Sequence, residues 1–72
     1  MGQLITKREK EIFQYLVENK TTNQIATILN ISPKTVRNHI SNVILKLDVK
    51  GRTQAILKLI IMDQIIINKN MF

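Results

Sequence analysis

Ile31-Ser-Pro-Lys-Thr-Val-Arg-Asn-His-Ile-Ser41 decides how the 72-residue chain is read. Ser32 is a helix cap and Pro33 a first helical residue, where the missing N–H costs nothing, so the proline starts a helix rather than breaking one. At about 100° per residue, Val36, Ile40, Val43 and Leu47 form one apolar stripe, which predicts a helix over 33–47. That spacing puts Lys34, Asn38, Ser41 and Leu45 on the opposite face, Arg37 to one side and His39 on the other flank. Nothing in the residues explains a leucine at 45.

Upstream, Thr6-Lys-Arg-Glu9 is a capping box, and Ile12, Phe13, Leu16 and Val17 follow at helical spacing, giving a helix over 7–18. Asn19 suits a left-handed terminator. Arg8 and Glu11, in that capped first turn, read as local ion-pair formers. Thr21-Thr-Asn-Gln24 is a second capping box, and it opens a two-turn helix over 22–29 with Ala26 where two helices must approach closely. After Val49-Lys-Gly51 a fourth helix is expected over 52–62. The fold class is thus all-α, four helices in one domain spanning 1–72.

The net charge of +6 and pI near 10.1 point to an anionic partner. The tract AILKLIIMDQIII (55–67) is interrupted by Lys58, Asp63 and Gln64 and is short of a membrane helix. With charged residues at 7–10, where an apolar core would begin, no signal peptide is expected. MGQLIT formally matches a myristoylation signal, but Thr6 is better used as a cap. There is no cysteine and one histidine, so His39 is not expected to bind metal, and no cofactor or small-molecule ligand is expected. No nucleophile stands beside a base and no glycine-rich phosphate loop is present, which argues against an enzyme. The absence of cysteine suits a reducing cytoplasm.

A two-turn helix, a short turn and a longer helix with its donors gathered at the front is a helix-turn-helix pattern. The major groove admits one helix, N-terminal end first. There Arg37 can fork onto guanine O6 and N7, and Asn38 can pair with adenine N6 and N7, while Lys34 and Thr35 suit phosphate oxygens. The bland alternative is a merely solvated face.

Ile5-Thr-x-Arg-Glu-x-Glu-Ile12, Thr21-Thr-x-Gln-Ile-Ala26, Ile31-Ser-x-x-Thr-Val-Arg-x-His-Ile-Ser-Asn42, Lys46-Leu-x-Val49 and Arg52-Thr-Gln-Ala55 together resemble the LuxR/FixJ-type helix-turn-helix domain over about 5–60. The length and TVRNHISN (35–42) are most similar to its stand-alone GerE type, which implies a sporulation transcription regulator. Asn19 and Asp48 stand where the family usually has glycine, and Gln24 where it has glutamate. The resemblance implies base reading by Arg37, Asn38 and Ser41. It implies phosphate contacts from Thr22, Asn23, Lys34, Thr35 and His39, and extends them to Lys46, Lys50 and Arg52.

The fourth helix is apolar nearly all round and must be covered on two sides. One is the core. The other is expected to meet a second copy near Leu57 and Ile61, with Gln54 and Lys58 alongside, giving a homodimer on a pseudo-palindrome. The alternative is that Ile65-Ile-Ile67 folds back over that face. Competing functions are the output domain of a response regulator, and an interaction module for RNA polymerase or a sigma factor.

Overall fold

The computed structural model describes residues 5–67, so the formal myristoylation match at Met1-Gly2 lies outside the described residues. Four helices follow one another: α1 Lys7–Val17, α2 Thr22–Leu29, α3 Pro33–Leu47 and α4 Arg52–Ile61. No strand occurs among the described residues. The second and third helices have the expected bounds; the first and fourth each stop one residue early.

The starts are fixed locally. The Thr6 N–H donates to Glu9 Oε1 (2.9 Å) and the Glu9 N–H to Thr6 Oγ1 (3.1 Å), closing the first capping box. Gln24 and Thr21 repeat it at 2.9 and 3.1 Å. Ser32 Oγ accepts from the Thr35 N–H at 3.1 Å, with Pro33 in the first turn.

The stops share a device. Asn19, Asn30, Asp48 and Asp63 all have φ between 54° and 67°, the left-handed region. In each case the N–H of the next residue returns to a carbonyl of the last turn: Lys20 to Tyr15, Ile31 to Ala26, Val49 to Ile44 and Gln64 to Leu59, at 2.8–3.3 Å. Asn and Asp do what glycine more often does, because they tolerate that backbone best among residues with a Cβ.

α3 runs through the middle, contacting α1, α2 and α4. Its apolar stripe is the one expected: Val36, Ile40, Val43 and Leu47 are all buried. They meet Ile12, Phe13 and Val17 of α1, Ile25 and Ala26 of α2, and Ala55 and Leu59 of α4 in one cluster.

Two features tie the assembly together beyond this apolar core. Glu9, only 3% exposed, accepts from Lys46 Nζ at 2.7 Å, an ion pair joining the start of α1 to the end of α3. Burial alone would push the Glu9 carboxyl up, but the Lys46 ammonium and the Thr6 donors together hold it below its ordinary range. Beyond α4, the left-handed turn at Asp63 sends Ile65 into the core, where it is buried. Gln14 of α1 then grips the backbone of Ile66, donating to its carbonyl (2.9 Å) and accepting from its N–H (3.0 Å).

The tail therefore does fold back, but against α1. It does not cover the outer face of α4: Leu57 is 55% and Ile61 82% exposed. Among the described residues no helix is long and apolar enough to cross a membrane.

Candidate nucleic-acid interface

The buried stripe of α3 fixes the direction of everything else on that helix. With Val36, Ile40 and Val43 held in the core, Lys34, Arg37, Asn38 and Ser41 are exposed on the outer side. The helix carries four donor-bearing side chains, Lys34, Thr35, Arg37 and Asn38, within its first six residues, and Ser32 and Pro33 fix its start. Arg37 and Asn38 have long or planar donor groups that can span a gap to base edges, whereas Ser41, one turn further on, is short and adaptable.

The flanking residues divide by exposure. Asn23, Lys34, Lys50 and Arg52 are exposed; Thr22, Thr35 and His39 are half-buried. Thr35 Oγ1 lies 2.9 Å from Ser32 Oγ, so the two hydroxyls share a proton-donating contact at the mouth of α3. Gly51 caps α4 without a side-chain hydrogen bond, and Lys50 and Arg52 flank its open N–H groups. Such a helix start attracts anions through its free donors and its dipole.

Lys46 departs from the expectation. Its ammonium lies on buried Glu9 and its side chain is largely covered, so in the free protein it is a structural cation. Glu9 already has a complete local role as a cap, and nothing within one helix signals a partner 37 residues away. Lys58, expected at a helix–helix contact, donates from Nζ to the Leu47 carbonyl (2.9 Å) and so caps the end of α3. Arg8 and Glu11 form the expected local pair at 3.8 Å. Gln54, Leu57, Lys58 and Ile61 are all exposed along α4.

The profile of the family described as bacterial regulatory proteins, luxR family, matches residues 3–59. The spore germination protein GerE of Bacillus subtilis (strain 168) is 58% identical over 62 residues, covering 86% of this chain and 84% of its own length. The transcriptional regulatory protein LiaR of the same organism is 51% identical over 51 residues, and there the chain spans 24% of the relative. A solved structure of the transcription factor GerE superposes with a TM-score of 0.89 at 53% identity, covering 92% of this chain and 98% of that one.

Proposed function

The chain belongs to the luxR family of bacterial regulatory proteins, and on that premise we propose that it is a transcription regulator that binds double-stranded DNA by laying α3 in the major groove. One observation carries the reading. The helix with four buried apolar residues on one side presents Lys34, Arg37, Asn38 and Ser41 on the other. A net charge of +6 draws that face toward phosphate.

In this reading Arg37, Asn38 and Ser41 contact bases. Thr22, Asn23, Lys34, Thr35 and His39 contact phosphates on either side, and Lys50 and Arg52 do so at the start of α4. Lys46 is left out of the set because it neutralises Glu9. Two copies pair through the open face of α4 around Leu57 and Ile61, with Gln54 and Lys58 at the edges. That places two copies of α3 about one helical turn apart on a pseudo-palindrome. The protein acts in the cytoplasm on the nucleoid, has no catalytic step, and leaves its remaining surface for RNA polymerase. Similarity to GerE favours a role in spore formation or germination.

The test compares two alanine variants on one binding site. Arg37→Ala should cost about 1–3 kcal/mol against the preferred base at one position and little against others. Lys34→Ala should weaken all sequences alike and reduce the salt slope by about 0.9 per protomer. Equal, sequence-blind losses from both would reduce α3 to a basic surface without readout.

A further inference from the structure

Leu45 is 78% exposed, among the most exposed large apolar residues of the described chain. It does not lie on the α4 face or beside the returning tail, where the other such residues of the chain's second half gather. It lies on α3, four residues past Ser41 and seven past Asn38. At about 100° per residue these separations put Leu45 within roughly 40° of both, one turn further along the same outward line. The row facing the groove therefore reads Lys34, Asn38, Ser41, Leu45: three hydrogen-bonding side chains and then a branched hydrocarbon.

The neighbours limit what that hydrocarbon can meet. Leucine has no donor to offer a phosphate, and beyond it that role falls to Lys50 and Arg52, both exposed. The remaining contact for a side chain in line with base-reading residues is the groove floor. The apolar group that B-DNA presents there is the C5 methyl of thymine.

We infer that Leu45 reads a thymine methyl at the outer end of each half-site, adding shape selection one step beyond the bases contacted by Ser41 and Asn38. The inference rests on the major-groove reading of α3. It makes Leu45 a specificity residue that forms no hydrogen bond.

Single substitution of deoxyuridine for thymine removes that methyl and leaves every hydrogen-bonding group in place. The full chain and Leu45→Ala are therefore titrated against a selected duplex, then against duplexes carrying deoxyuridine at each thymine in turn. Alanine at this exposed helical position keeps the fold. One position per half-site should weaken the unsubstituted protein about fourfold, the effect of one buried methyl, and leave Leu45→Ala unaffected. Equal losses in both proteins, or no loss at any thymine, would overturn the assignment. Failure of any random pool to yield a selected duplex would remove the DNA reading itself, a separate and recognisable result.

Discussion

Replacing Lys46 with methionine should destabilise the fold by about 2 kcal/mol at neutral pH while leaving the helices in place. The Glu9 carboxylate is almost wholly buried, and one oxygen receives both Lys46 Nζ at 2.7 Å and the Thr6 N–H at 2.9 Å. A charged hydrogen bond contributes about 1.5–3 kcal/mol, and an uncompensated buried charge costs about 3–5. The retained Thr6 donor and the positive end of α1 keep the penalty toward the lower figure. In a domain of this size that corresponds to a fall in Tm of roughly 8–16 °C.

The pH dependence separates charge from packing. Glu9 is held below its ordinary range in the folded chain. Its contribution is thus fully present above the unfolded value of about 4.3 and is lost as pH falls through the lower folded value. Without the ammonium, burial pushes the carboxyl up, so acid relieves the variant. The gap between Lys46→Met and the parent should be widest near neutrality and narrow toward pH 3. Glu9→Gln is the companion variant: Gln24 already fills the same capping role on α2, so the amide preserves the cap while removing the charge. Urea unfolding at one fixed protein concentration reads all three. A gap for Lys46→Met that stays constant from pH 7 to pH 3 would refute the electrostatic account and leave only lost side-chain packing.

Three further outcomes are expected. Ile65→Ala should cost about 2–4 kcal/mol in chemical unfolding, because its side chain completes the core from beyond α4. Gln14→Ala should cost about 1–2 kcal/mol and raise hydrogen exchange at the Ile66 amide, since both contacts to that residue's backbone disappear. Ile61→Lys should leave the helical circular dichroism unchanged and shift sedimentation toward monomer, because the residue is 82% exposed within one chain.

The legible parts of this fold are those whose cause lies within one turn of chain. Thr6 with Glu9, Thr21 with Gln24 and Ser32 before Pro33 are complete short-range signals, and the structure places a cap at each. The stripe Val36-Ile40-Val43-Leu47 fixes which side of α3 faces out, and with it the exposure of Arg37, Asn38 and Ser41. What could not be read depends on three-dimensional proximity. Glu9 and Lys46 each had a sufficient reading of their own, one as a cap and one as a phosphate cation, and only helix packing joins them. Lys58 read as a residue beside a contact between copies; the crossing of α3 and α4 gives it the Leu47 carbonyl.

The tail shows the same division. Its apolar run required cover but did not say where it would find it. A left-handed turn at Asp63 and a glutamine on α1 direct Ile65 inward, leaving the outer face of α4 open. Leu45 had the right orientation in the sequence and no purpose there, because its neighbours in space are the other members of an outward row.

Selection from a random double-stranded DNA pool at about physiological salt separates sequence reading from charge attraction. Enrichment of a two-fold motif with half-site centres about 10 base pairs apart is expected, matching two copies of α3 joined through α4. A pool that returns unenriched, with binding that simply fades as salt rises, would contradict sequence reading by this helix.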